Sequence, residues 1–294
     1  MVTTNDIACF LGLNLNGECF VINGFSQISN IEEGTLVFAK KFKEEFVDLL
    51  NKHSNILAIV TLEYVGKIKC AYIVSDNPRL DFIKTLSVFF NPTNGNGKVH
   101  PSAIIEDGAQ IGEHVTIESN CHISSKAIIG SKTVIHPNVT IYNEVTIGEN
   151  CEIKSGAVIG QDGFGFERDK DGTPIHFPHY GKVILGNNVY IGANTCIDRG
   201  TLGDTIIEDN AKIDNLVHIA HNCHIGNGSF IIASAILGGG TQIGRNCWVA
   251  PNVSIKEQTV INDKVLIGLG AVVLKEVPEG KIMVGNPAKE LVKK

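Results

Sequence analysis

The sequence predicts a mainly β protein: a parallel β-helix of hexapeptide repeats behind a small N-terminal α/β domain. Three observations predict it. An aliphatic residue returns every six positions from Ile105 onward, a breaker cluster at 91–98 separates that region from what precedes it, and bulky side chains are scarce where the chain is most apolar. The 294 residues include 31 Gly but one Trp and two Met, and most of the 13 Phe fall before residue 100. The large core must therefore be built from small and β-branched side chains.

Residues 1–98 read as the α/β domain with its linker. Ile56–Val60 and Cys70–Val74 are short apolar runs that predict strands. Lys41–Lys52 and Asn77–Phe90 carry helical periodicity, the second opened by Asp76-Asn77-Pro78. Asn91-Pro-Thr-Asn-Gly-Asn-Gly-Lys98 is a linker by composition.

Residues 99–272 form the repeat region. Lead aliphatics run from Ile105 to Ile159, resume from Leu185 to Ile197, and run again from Ile207 to Ile267, making 24 hexads. A period of six fits neither an α-helix nor a plain hairpin, but it is a β-helix repeat. At three hexads per coil the 24 hexads give eight coils, and ~4.8 Å between strands makes a prism ~38 Å long. Four positions after nearly every lead sits a small residue that fills a corner, Gly163 being the exception. Cys121, Cys151, Cys223 and Cys247 occupy that slot and read as core fillers. Gly follows the lead ten times, and Gly or Asn at corners tolerates positive φ. Two excursions interrupt the repeat, a polar loop at 165–184 and a short bulge at 203–206. A regular prism has little need of them, which marks them as functional. Residues 273–294 read as a short tail.

Composition excludes several classes. With 25 Lys+Arg against 31 Asp+Glu the net charge is -6, and nucleic-acid binding needs a clustered basic face instead. MVTTNDIACF lacks the basic start and apolar run of a secretory signal. No stretch approaches the ~20 apolar residues of a membrane span. Eight cysteines without a CxxC point to a reducing cytoplasm.

The densest polar cluster is Ile213–His224, with His218, His221 and His224 three apart. Zinc is the tempting reading. Residues six apart lie on successive prism faces about 120° round, however, so His218 and His224 diverge and no metal site is expected. The 18-residue coil period stacks Gly239, inside Leu237-Gly-Gly-Gly240, on His221. A histidine with no side chain above it has an open slot beside it, where bare backbone N–H groups could receive an oxyanion. That pairing suits acyl transfer, with His221 as base and the Gly239 amide as oxyanion donor. Spacing alone leaves equally open that these are solvated corner residues.

The hexads resemble the left-handed β-helix of the hexapeptide acyltransferases, whose members are usually homotrimers. Ile159-Gly-Gln-Asp-Gly-Phe-Gly-Phe166, Ile197-Asp-Arg-Gly200, Asp204-Thr-Ile-Ile207, Ile213-Asp-Asn215 and Ile219-Ala-His-Asn222 are similar, in order and spacing, to the UDP-3-O-acylglucosamine N-acyltransferase family of lipid A synthesis. That resemblance implies His221 as general base and Gly239 as oxyanion glycine. It implies that Asp214, Asn215, Asn222, Gln161, Asp162 and Phe164 line the substrate cleft. Phe38 and Phe42 fall near the family's uracil-stacking aromatics, with ordinary core packing as the competing reading. The implied substrates are a nucleotide-linked amino sugar and a thioester, carried by acyl carrier protein or coenzyme A, with no bound cofactor. Three departures stand out: Lys40 and Lys41 in a shortened stacking segment, Gln258 where a second His is expected, and the ending Val284-Gly-Asn-Pro-Ala-Lys289. The last looks like coenzyme-A-dependent sugar acetyltransferases, so an acyl-CoA-dependent enzyme making a dideoxy amino sugar is the alternative. A metal-dependent hydratase using histidines of two subunits, and a non-catalytic scaffold, are the remaining readings.

Overall fold

The computed structural model describes residues 1–91 and 97–291, so the expected linker lies largely outside the described residues. The chain divides into two compact units, Met1–Asn94 and Gly95–Lys294.

In the first unit, Thr35–Ala39, Leu57–Val60 and Ala71–Val74 are the parallel centre of a five-stranded sheet. The two expected helices are Glu44–Leu50 and Pro78–Thr85, the latter capped by the Asn77 side chain, which accepts from Leu80 N–H. A helix at Thr4–Leu11, closed by a Thr3/Asp6 capping box, escaped the periodicity argument because eight residues show too few apolar repeats. Alternation along Thr35–Ala39 sends Phe38 to one side of the sheet and Val37 to the other.

In the second unit the hexads become two- to four-residue strands stacked in three parallel sheets, the left-handed β-helix. Register is in phase from coil to coil: Ile123 lies on Ile141, Ile141 on Ile159, Ile159 on Ile197, Ile197 on Ile219 and Ile219 on Leu237. Beyond the first coil the leads are fully buried in ladders, and strands at Val272–Val273 and Ile282–Val284 carry two of the sheets past Ile267. Cys121, Cys151, Cys223 and Cys247 are buried, and burial pushes the Cys223 thiol up to about 12, as a core filler requires.

The corners obey one rule. Sixteen non-glycine residues have φ between 54° and 62°, each three positions after a lead, and nine of them are Asn. Asparagine is the side chain that best tolerates this left-handed region. The glycines directly after the leads serve another purpose: a Cβ on Gly130 would lie 2.5 Å from Gly148 C, and on Gly192 2.3 Å from Asp214 C. They let stacked corners approach; positive φ, the expected reason for glycine there, holds only at Gly160, with φ 91°.

Candidate active site

The site is built at the corner that follows Ile159, Ile197, Ile219 and Leu237, where both excursions leave and rejoin the prism. In-register pairing of Ile219 with Leu237 sets His221 beside Gly239, and Gly240 N–H donates to His221 C=O at 2.8 Å. A Cβ on Gly239 would sit 2.7 Å from His221 Cε1 and 2.8 Å from Nε2. The absent side chain is what keeps Nε2 open.

The backbone N–H of Gly239 is also uncommitted. Two positions after several other leads, the corner N–H is held by a side chain of the adjoining coil: Ala193 by Asn215, Ala233 by Asp214, Asn227 by Glu208, Arg245 by Asp263. Among the described residues nothing accepts the Gly239 N–H. It is an unclaimed donor on the residue that lies against the His221 ring, the kind of group an oxyanion hole needs.

Asn222 fixes the imidazole. Its Oδ1 accepts from Thr201 N–H at 3.0 Å and from the Thr201 hydroxyl at 2.9 Å, while its Nδ2 donates to Gly203 C=O at 3.0 Å. Those partners identify Oδ1 as the acceptor that faces His221 Nδ1 at 3.0 Å. In the neutral ring the proton is therefore on Nδ1, and Nε2 keeps its lone pair on the Gly239 side. The bulge at 203–206 exists to make these contacts: with Gly200 and Thr201 it wraps the Asn222 amide, and a Cβ on Gly200 would overlap Gly203 C=O at 1.7 Å.

Beneath the histidines lies Asp198, 3% exposed. Burial pushes its carboxyl up; His218, Gln161, His221 and His179 oppose that. Asp198 Oδ2 faces His218 Nε2 at 3.8 Å, and Gln161 Nε2 donates to Oδ1 at 3.5 Å. His218 is thus turned to Asp198, and His224 to Glu208 at 2.8 Å; the three histidines at spacing three do not converge.

The long excursion supplies the other wall. It is a hairpin, Phe166–Arg168 against Pro174–His176, which rejoins the corner through His179. The His179 ring is 5.4 Å from that of His221, edge to face. A Cβ on Gly163 would lie 3.1 Å from both rings, which explains why this one slot of the repeat is glycine. Gln161 and Asp162 border a groove of 420 Å³ with Tyr142, Asn143, Gly160 and Arg199. Arg199 bridges it, donating from Nε to Gly160 C=O at 2.8 Å and from Nη2 to Asn143 C=O. Phe164 is 88% exposed and rests against Phe166.

The residues singled out from sequence divide accordingly. His221, Gly239, Asn222, Gln161, Asp162 and Phe164 gather at one corner. Asp214 and Asn215 do not join them: they follow Ile213 in a different sheet, at another corner of the same chain. There Asp214 accepts from Asn215 N–H at 2.7 Å and Ala233 N–H at 3.2 Å, while Asn215 accepts from Ala193 N–H at 2.7 Å. Phe38 and Phe42 do not face one another either. Phe38 packs on Phe82, with ring centres 4.8 Å apart, and borders a cavity of 510 Å³ with Phe25, Ser26, Gln27 and Asn30. Phe42 packs on Tyr64 on the other side of the sheet, under the Lys67 ammonium at 3.9 Å. Thr201, Asp198, Arg199 and His179 escaped the sequence argument. The repeat phase breaks at all four, and that break was the available signal.

Among the described residues no helix is long and apolar enough to cross a membrane. The family model described as bacterial transferase hexapeptide (six repeats) matches residues 126–161 and 204–239, and hexapeptide repeat of succinyl-transferase matches 182–215. UDP-3-O-acylglucosamine N-acyltransferase of Coxiella burnetii is 35% identical over 282 residues, covering 87% of this chain and 80% of the relative. UDP-3-O-acylglucosamine N-acyltransferase 2 of Legionella pneumophila is 35% identical, covering 77% and 71%. Among solved structures, the UDP-N-acetylglucosamine O-acyltransferase of Moraxella catarrhalis superposes with a TM-score of 0.61 at 26% identity, covering 66% of this chain and 73% of that one. The enzyme of Campylobacter jejuni gives 0.61 at 29% identity, covering 66% and 74%. Over the greater part of its length, then, the chain belongs to the UDP-3-O-acylglucosamine N-acyltransferase family.

Proposed function

We propose that this chain transfers an acyl group from a thioester to the amine of a UDP-linked 3-O-acylglucosamine, the N-acylation step of lipid A synthesis. One observation carries the reading: an imidazole held by Asn222 at Nδ1, with its Nε2 beside a side-chain-free Gly239 whose N–H has no acceptor among the described residues.

The sugar amine attacks the thioester carbonyl and forms the new C–N bond. His221 Nε2 takes the proton that the amine sheds, and the Gly239 N–H holds the oxyanion. Collapse expels the thiolate, which recovers the proton from the imidazolium. Asp198, close below, favours that cation electrostatically. Gln161, Asp162 and Arg199 form the groove wall at which the sugar sits, with the exposed Phe164 beside it, and Phe38, at an aromatic cavity of the first unit, stays the candidate for stacking on a nucleotide base. The thioester is carried by acyl carrier protein in preference to coenzyme A, as the family resemblance implies. The protein acts in the cytoplasm as a homotrimer, with Asp214 and Asn215 of one subunit completing the His221 corner of the next.

Replacing His221 by Ala is the test. Turnover with acyl carrier protein and UDP-3-O-acylglucosamine should fall roughly 10²–10⁴-fold while the fold, read by circular dichroism, is unchanged. Near-wild-type turnover at saturating substrates would sink the mechanism. Running coenzyme A thioesters and dTDP-amino sugars alongside decides donor and acceptor.

A further inference from the structure

We propose that Asp162, His176 and His179 bind a divalent transition-metal ion, zinc being the type, which clamps the long excursion to the prism corner.

The three side chains each offer a ligand atom, and these lie within 4.8 Å of one another. Two imidazoles and one carboxylate suit zinc, cobalt or iron better than calcium or magnesium. The second observation is independent of the clustering. His179 is 4% exposed, and among the described residues neither of its ring nitrogens has a hydrogen-bond partner. Buried imidazole nitrogens normally do. A metal ion would take one of them as a ligand.

The surroundings divide the roles. Asp162 Oδ1 faces Arg199 Nε at 3.9 Å, and Oδ2 faces His176 Nε2 at 3.9 Å, so the second oxygen is the one turned to the imidazoles. His176 and His179 stack with ring centres 5.9 Å apart. Coordination bonds of ~2.0–2.2 Å place donor atoms about 3.4 Å apart, so atoms that lie within 4.8 Å of one another must draw in by up to about 1.4 Å. Asp162 and His176 are exposed and can supply that movement. His179 cannot, being wedged against Gly163 and Gly165. His221 is excluded as a ligand because its Nδ1 is committed to Asn222 and its Nε2 faces Gly239.

The ion would thus join a prism residue (Asp162) to the end of the hairpin's return strand (His176) and to the segment that follows it (His179). Its effect is mechanical: it fixes the loop that walls the site without touching the reacting atoms. This assignment is independent of the acyl-transfer reading.

Metal-free protein titrated with Co²⁺ should bind one ion per chain and show visible ligand-field absorption. His176→Gln and Asp162→Asn should each weaken that binding at least about tenfold, with metal-free melting temperatures unchanged because both side chains are exposed. Zn²⁺ should also slow trypsin cleavage at Arg168 and Lys170, in the hairpin, in the wild type and not in His176→Gln. Absence of stoichiometric Co²⁺ binding overturns the proposal. So does Co²⁺ binding of equal strength in wild type and both variants, since the ion would then sit on other surface histidines.

Discussion

At the scale of single residues, the corner around His221 is governed by what Gly239 and Asn222 each withhold or supply. Gly239 has an ordinary φ, so its backbone tolerates alanine; the conflict is between the new Cβ and the imidazole, 2.7–2.8 Å away. Gly239→Ala should leave stability within about 1 kcal/mol and lower kcat/KM roughly 10²-fold, as melting curves and steady-state kinetics would show. Wild-type kcat/KM would mean that Nε2 is not the base. Asn222 is different, because it sits at φ 61° and also orients the ring. Glycine keeps that backbone and removes the amide, so Asn222→Gly isolates the side chain's part. Turnover should fall about tenfold or more, a share of the roughly 10²–10⁴ that general-base catalysis supplies. If turnover is retained while His221→Ala is inactive, Asn222 holds the corner and not the tautomer.

At the scale of elements, what repeats was legible and what does not repeat was not. Translational periodicity alone placed Ile141 over Ile123, stacked Gly239 on His221 and assigned four cysteines to the core, because each depends only on residues six or eighteen apart. Thr201, Asp198 and His179 depend on how two excursions fold back, and no period encodes that. Gly163 is the instructive case: it stood out as the missing small side chain of its slot, and only the rings of His179 and His221 explain it. In the first unit, Phe38 and Phe42 were two aromatics four apart; the strand ends at Ala39, and the chain beyond it carries Phe42 to the other side of the sheet from Phe38. The ladders make a prediction of their own. Ile141 is fully buried between Ile123 and Ile159, four coils of one sheet away from Leu237. Ile141→Ala should cost about 2–5 kcal/mol of stability, read by denaturant unfolding, with turnover intact at a temperature where the variant is folded. Loss below 1 kcal/mol would show that the neighbouring coils collapse into the gap.

For the whole molecule, the placement of Asp214 and Asn215 poses a question that one subunit does not answer, since they occupy a corner away from His221 in their own chain. A homotrimer with sites between subunits, the arrangement the family resemblance implies, brings the corner of one chain to the corner of the next, as closed cyclic symmetry requires. Sedimentation should give three chains per particle at assay concentration. The stronger test mixes two inactive proteins. His221→Ala and Asp214→Ala homotrimers should each be inactive, yet every mixed trimer formed after co-expression contains one interface where an intact His221 meets an intact Asp214. Random assembly puts three quarters of the trimers in the mixed class with one site of three restored, so roughly a quarter of wild-type turnover should return. Recovery near zero, with mixed trimers demonstrated by affinity tags, would confine the site to a single chain. Full activity of Asp214→Ala alone would leave that carboxylate with only the two backbone N–H groups it already holds.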